Sequence, residues 1–394
     1  MPTLPTQTAP TPEAATRERY AAAGKEVEAC LCVPSDGYDP SLLKAIPQEV
    51  IDVDYGCGDP SKWVREGETV LDLGSGSGKA CFIMSQKVGP TGSVIGVDFN
   101  KPMLDLSRRT QPEFAKNVGY DNVSFRKGRI QDLALDLDKL DTFLASQPVD
   151  GSDAWLAASD QASHLRKNDP MVADNSVDVI VSNCVLNLVE QGQKGKLFEE
   201  MFRVLKKGGR CVISDIVSDE IVPQDMQDDP DLWSGCISGA FTEMGFLKAF
   251  EDAGFHGIRI LERADKAWQT IRGIEFRSVT VEAYKGKQGP CMDRNQAVVY
   301  LGPWKRVIDD DGHTLTRGER MAVCDKTFKL YGKEPYKGQF AYVEPLTEVP
   351  LDDAKPFDCR RNVTRSPRET KGQDYVETTT PDQSASACGP GGCC

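Results

Sequence analysis

Three glycines alternate with serines directly behind an apolar run in Val70-Leu-Asp-Leu-Gly-Ser-Gly-Ser-Gly78, and this stretch limits the fold more than any other in the chain. Val70, Leu71 and Leu73 have the character of a buried strand, Asp72 lies near its carboxyl end, and residues 79–88 carry a helical pattern. Gly74, Gly76 and Gly78 let backbone approach a ligand that any side chain would hold off. The N–H groups at the start of the next helix have no partner within that helix, so they are free to meet the same ligand.

The loop does not fit a dinucleotide site, because Lys79 stands where G-x-G-x-x-G requires a small residue. It does not fit a nucleoside-triphosphate loop either, since Ala80 follows Gly78-Lys79 where a Ser or Thr would be needed. Asp72-x-Gly74-x-Gly76-x-Gly78 resembles the first motif of class I S-adenosylmethionine-dependent methyltransferases. That resemblance implies a second strand closed by a carboxylate about 20 residues on, placed to take two ribose hydroxyls. Gly92-Ser-Val-Ile-Gly-Val-Asp98 supplies it. It also implies S-adenosylmethionine contacts at Tyr55, Gly56, Asp72, Gly74, Ser75, Gly76, Gly78, Asp98, Met103, Ile130 and Asn183; Met103 would cover the adenine, or else belong to the core.

With 394 residues, 39% of them hydrophobic and 27% charged, the chain has the composition of a globular enzyme with a substantial core. A formal charge of −13 with no basic stripe argues against a nucleic-acid substrate. The longest apolar run, 177–189, is interrupted by polar residues and is too short to span a bilayer, so no membrane association is expected. No secretory signal is visible, and thirteen cysteines scattered over a chain this long do not make a secreted disulfide framework. The expectation is a cytoplasmic monomer whose thiols serve soft-metal or redox chemistry.

Residues 1–40 read as a flexible arm, disordered to Thr16, with a helix over 18–29. Pro47 marks a bend within a helical pattern over 41–50. Residues 41–285 read as a doubly wound α/β sheet. Its strands are expected at 70–73, 94–98, 123–127, 177–183, 210–217 and 258–262, with helices at 79–88, 101–116 and 194–205. Such alternation predicts a parallel sheet, with Lys206-Lys-Gly-Gly209 as a helix stop and 274–284 as a completing strand. Residues 133–174 exceed a minimal crossover and predict a helical excursion. A small β-rich appendage over 286–380 and a flexible cysteine-rich tail over 381–394 close the chain.

Ligands of open α/β sheets bind beyond the carboxyl ends of the strands. Cys184 follows the fourth strand, Cys57 precedes the glycine loop, and Cys236 follows the fifth strand in a segment that shapes the acceptor pocket. Tyr55-Gly-Cys57-Gly, Val181-Ser-Asn-Cys184-Val-Leu-Asn-Leu-Val189 and Trp233-Ser-Gly-Cys236, around the glycine loop, resemble the arsenite S-adenosylmethionine methyltransferases. The resemblance implies that Cys57, Cys184 and Cys236 bind As(III) and carry catalysis. A fourth cysteine, Cys30 or Cys32, would be the disulfide partner of Cys57, with thioredoxin or glutathione as the thiol reductant. Soft trivalent arsenic selects thiolates over carboxylate or imidazole. Three sulfurs leave its lone pair free to attack a methyl carbon, so His164, His256 and His313 need not supply a base. The products implied are mono- and dimethylated arsenic, with a trimethyl species open.

Cys81 and Cys211 sit in helix and strand patterns and read as core, while Cys291 and Cys324 leave two readings open, packing or an extra metal or redox pair in the appendage. Two other functions remain open at this point. One is a carbon methyltransferase of quinone or sterol type, whose cysteines would be packing; the other is a metalloid-binding protein centred on Cys388, Cys393 and Cys394.

Overall fold

The computed structural model describes residues 11–23, 37–53 and 55–376. Two compact units make up the chain, Met1–Lys287 and Gln288–Cys394.

In the first unit, helix α1 (Pro12–Ala23) begins inside the stretch expected to be disordered. Pro12 is its first residue, where a fixed φ suits a helix and the missing N–H costs nothing. Two short helices follow, α2 (Pro40–Leu43) and α3 (Gln48–Asp52); Pro47 stands between them as the N-cap of α3. Strand β1 (Thr69–Leu73) runs through the glycine turn into α4 (Lys79–Val88), then β2 (Ser93–Asp98), α5 (Lys101–Val118) and β3 (Val123–Lys127). The Asn100 side chain accepts the Met103 N–H and fixes the start of α5, and Gly119, at φ 85°, ends it. The long crossover carries α6 (Leu137–Ser146) and α7 (Ser152–Asn168), and leads to β4 (Val177–Asn183), α8 (Lys194–Val204) and β5 (Leu205–Ser218). Beyond β5 come α9 (Gln224–Gln227), α10 (Pro230–Ser234), β6 (Phe241–Thr242) and α11 (Glu243–Asp252). Strands β7 (His256–Arg263), β8 (Gln269–Ile271) and β9 (Ile274–Tyr284) complete the unit.

The strand order is β3-β2-β1-β4-β5-β9-β7, with β6 beside β5 and β8 beside β9. Strands β1 to β5 are parallel, but β9 lies antiparallel between β5 and β7, so the sheet is mixed. Residues 264–273 are too short for a crossover helix, so β9 has to return alongside β7 as an antiparallel neighbour. Residues 206–209 belong to β5: the helix stops earlier, at Val204, and Gly208 at φ 89° bends the strand.

Side chains of β1 alternate between two cores, Val70 on one sheet face and Leu71 and Leu73 on the other. Phe82 of α4 and Phe114 of α5 cover the first face, stacked at 4.4 Å between ring centres; Leu197 and Phe198 of α8 and Phe250 of α11 cover the second. Each such side chain contributes about 1.5–3 kcal/mol on burial. With both faces sealed, the carboxyl end of the sheet is where a ligand can enter. No helix among the described residues is long and apolar enough to cross a membrane.

The second unit is smaller and β-rich. Strand β10 (Met292–Asp293) pairs with a late strand, and β11 (Ala297–Tyr300) is central to a three-stranded sheet. A hairpin of β12 (Arg306–Ile308) and β13 (Thr314–Thr316) follows, then β14 (Arg320–Ala322), α12 (Asp325–Tyr331) and β15 (Phe340–Val343). Strand β16 (Lys355–Pro356) is the partner of β10. The core holds Val298, Tyr300, Tyr331 and Phe340, the last two stacked at 4.4 Å between ring centres.

Candidate functional site

The glycine turn after β1 has Gly74, Gly76 and Gly78 at φ 74°, 51° and 90°, a region only glycine enters freely. A Cβ built on Gly76 meets nothing within 4 Å, because that residue faces the open cavity at the carboxyl end of the sheet. Asp98, at the end of β2, accepts the Gly76 N–H at 2.9 Å through one oxygen and the Asn100 N–H at 2.7 Å through the other. Burial raises the pKa of Asp98, while these backbone donors pull it back. The Ser75 hydroxyl is buried with no hydrogen-bond partner among the described residues. A cradle of this kind fits S-adenosylmethionine: a carboxylate with spare lone pairs for two ribose hydroxyls, an orphaned hydroxyl, and a glycine opening onto space.

Asp72, Tyr55, Met103, Ile130 and Asn183 also line the cavity. Gly56 and Gly78 do not; they allow close packing, since a Cβ would lie 2.4 Å from Asn183 Nδ2 and 2.7 Å from the Phe125 ring respectively. Glu13, Thr16 and Tyr20 of α1 line it too, which nothing in the composition of residues 11–23 announces.

Cys57, Cys184 and Cys236 share one buried cluster at this end of the sheet, and Cys184 lines the cavity. The sulfurs of Cys57 and Cys184 and a carboxylate oxygen of Asp215 lie within 4.8 Å of one another. Cys236 is not part of that group; its Sγ donates to the Cys184 carbonyl at 3.2 Å and lies 3.9 Å from the Tyr20 hydroxyl. Burial raises the Cys57 pKa, a hydrogen bond with Cys184 lowers it, and the Asp215 charge raises it further.

Asn183 positions the first thiol. Its Oδ1 accepts the Cys57 N–H at 2.8 Å and the Gly58 N–H at 3.2 Å, while its Nδ2 donates to the Gly58 carbonyl at 2.7 Å. The other two cysteines sit on backbone that L-residues avoid, Cys184 at φ 63° and Cys236 at φ 62°. Hydrogen bonds on either side hold the first: Cys184 N–H to the Ser214 carbonyl at 2.8 Å and Leu186 N–H to Asp215 at 2.8 Å. For the second, α10 and the turn after it pack against the loop behind β4. Trp233 Nε1 donates to the Leu188 carbonyl at 3.2 Å, and a Cβ on Gly239 would fall 1.9 Å from the Asn187 carbonyl oxygen.

Asp215 and Lys194 were not singled out by the sequence. Burial raises the Asp215 carboxyl to about 6, against the Ile216 N–H and the Lys194 charge. Burial also lowers the Lys194 ammonium to about 8, against the charges of Asp215 and Cys236. Both are therefore charged at neutral pH. Lys194 donates to the Gly239 carbonyl and stands 4.1 Å from the centre of the Phe241 ring. Asp215 had a usable signal, being a carboxylate near the carboxyl end of an otherwise buried strand. Cys81 and Cys211 lie in the core, Cys81 donating to Asp72 at 3.2 Å. Cys30 and Cys32 lie outside the described residues.

Residues 65–169 and 159–264 match the methyltransferase domain family, and residues 287–375 match a domain of unknown function, DUF8838. An arsenite methyltransferase of Aquipseudomonas alcaligenes is 31% identical over 77% of this chain and 80% of its own length. One from Mus musculus is 26% identical, over 92% of this chain and 88% of its own. The crystal structure of an arsenic(III) S-adenosylmethionine methyltransferase from Chlamydomonas reinhardtii superposes with a TM-score of 0.52 at 26% identity, covering 82% of this chain and all of that one.

Proposed function

This chain belongs to the arsenite methyltransferase family, and from that premise we propose that it methylates trivalent arsenic held by Cys57, Cys184 and Cys236. The observation that carries the reading is the meeting of Cys57 and Cys184 sulfurs beside a cavity whose other wall is the Asp98 and Gly76 cradle. Arsenite exchanges its oxygens for thiolate sulfurs, each thiol proton leaving in water, and Cys236 completes the set by turning its sulfur from the Cys184 carbonyl toward the other two. S-adenosylmethionine, held by Asp98, Ser75 and the glycine turn, supplies when bound an electrophilic methyl group. Arsenic's lone pair takes it without a general base.

The protein's part is positioning, worth up to roughly 7–11 kcal/mol in favourable cases. Asn183 fixes Cys57, and the Asp215 carboxylate fixes the turn that presents Cys184. Each methyl gained raises arsenic by two oxidation levels, so a return to the trivalent state needs two electrons. Cys57 closing a disulfide with Cys30 or Cys32 supplies them, and thioredoxin or glutathione restores the thiols. A cytoplasmic setting, where thiols stay reduced, and mono- and dimethylated products belong to this reading.

Incubation with labelled S-adenosylmethionine, arsenite and thioredoxin or glutathione, with arsenic species separated over time, tests it. Wild type should yield methylated arsenic, and Cys184→Ser should lose at least two orders of magnitude in rate while still binding S-adenosylmethionine. Near-normal methylation by Cys184→Ser would sink the thiolate mechanism.

A further inference from the structure

The C-terminal unit gathers three sulfurs of its own: Sγ of Cys291, Cys324 and Cys359 all lie within 4.8 Å of one another. Cys291 precedes β10, whose partner β16 brings Cys359 back beside it, and the Phe357 N–H donates to the Cys291 carbonyl at 2.8 Å. Cys324 is the N-cap residue of α12; its sulfur accepts the Thr327 N–H at 3.4 Å and shares a hydrogen bond with the Thr327 hydroxyl at 3.2 Å. Cys324 is buried, whereas Cys291 and Cys359 are half-buried, so the group is closed behind and open in front. Burial opposes ionisation of Cys291, yet hydrogen bonds from Cys359 and Cys324 and the Lys326 ammonium outweigh it, and the pKa lies below that of an ordinary thiol. Partial burial and its hydrogen bond to Cys291 push the Cys359 thiol up.

We propose that Cys291, Cys324 and Cys359 form a second metalloid site, a tris-thiol cup for trivalent arsenic or a thiophilic ion of the same class, built from residues other than Cys57, Cys184 and Cys236. Three soft donors select a thiophilic centre over hard cations. Structural zinc takes four ligands, and no fourth Cys, His, Asp or Glu joins this group among the described residues. The nearby Asp325 carboxylate is held by Arg294 at 3.0 Å and Lys329 at 2.7 Å. A trivalent pyramidal centre needs only three sulfurs and keeps its lone pair on the open side. With bonds to sulfur of about 2.3 Å, sulfurs round one pyramidal atom stand about 3.5 Å apart, so closure from separations within 4.8 Å asks for at most about 1.3 Å of contraction. Loading breaks three As–O bonds and forms three As–S bonds; each thiol proton leaves with hydroxide as water, and no oxidation state changes.

The test is alkylation of the reduced full-length chain with N-ethylmaleimide, with and without arsenite, read peptide by peptide by mass spectrometry. Arsenite should protect Cys291 and Cys359, and Cys359→Ser should raise the arsenite concentration needed to protect Cys291 by about tenfold or more, because one arm of the chelate is gone. Cys359→Ser changes a half-buried thiol to a hydroxyl, which the fold tolerates better than the same change at the buried Cys324. Unchanged alkylation of Cys291 and Cys359 under arsenite overturns the proposal. So does a chain that carries one zinc, lost in Cys359→Ser and not displaced by arsenite. Protection at Cys57 and Cys184 is read on other peptides, so failure of the methyl-transfer reading is told apart from failure of this one.

Discussion

Asn183 accepts the backbone N–H of Cys57 at 2.8 Å, joining the end of β4 to a loop 126 residues earlier in the chain. The same amide lines the cavity, so one side chain sets the distance between the first thiol and the cradle. Asn183→Ala leaves two N–H groups and a carbonyl without their partner, a loss of about 1–3 kcal/mol in positioning. Arsenite methylation should fall roughly 5- to 150-fold in kcat/KM. Steady-state kinetics check it, and an unchanged kcat/KM would remove Asn183 from the site.

Asp98 is expected to carry much of the cofactor affinity. Hydrogen bonds to a charged acceptor are worth about 1.5–3 kcal/mol each, so Asp98→Ala should weaken S-adenosylmethionine binding about a hundredfold or more. Titration calorimetry reads this directly. Arsenite protection of Cys57 and Cys184 against alkylation should be unaffected in the same variant.

The Asp215 carboxyl titrates near 6 when folded against 3.8 when unfolded, so the folded chain holds a proton the unfolded chain has released over that window. Its contribution to stability is fully present below about 3.8 and is lost as pH rises through about 6, roughly 3 kcal/mol in all. Lys194 runs the other way: lowered from 10.5 to about 8, it contributes stability above about 10.5 that is lost as pH falls through about 8. Asp215→Asn should flatten the dependence of Tm on pH between 4 and 6, and Lys194→Met should flatten the alkaline limb. Melting curves of the variants that keep the wild-type slopes would contradict this assignment.

Gly239 cannot take a methyl group without moving the Asn187 carbonyl, 1.9 Å from the position a Cβ would occupy. Gly239→Ala should lower stability by about 1–3 kcal/mol through overpacking and loosen the turn carrying Cys236. A falling Tm with a larger fall in methylation is the expected pair of results. A neutral Tm would mean the turn after α10 packs differently.

The sheet was legible where apolar strands met glycine turns: β1, β2, β3 and β4 follow directly from period and punctuation. The antiparallel placement of β9 was not, because pairing direction depends on the length of a connection and on which edge is vacant, neither of which shows in local pattern. Helix α1 was expected only from residue 18 on, because Pro12 and the alanines of its first turns bury little on their own; Arg19 donating to the Asp231 carbonyl at 2.9 Å, and Tyr20 beside Cys236, are contacts across more than 200 residues. Cys57, Cys184 and Cys236 could be named from their neighbours in sequence, yet Asp215 and Lys194 acquire their character only from burial beside each other. Likewise Cys359 becomes notable only once β16 carries it to Cys291.

The left-handed backbone at Cys184 gives the site an internal gauge. Alanine there deletes the sulfur and retains the awkward torsion; glycine deletes both. The gap in melting temperature between those two replacements therefore reports the torsional cost of the turn less the backbone entropy that glycine gives up on folding, separately from anything the thiol does.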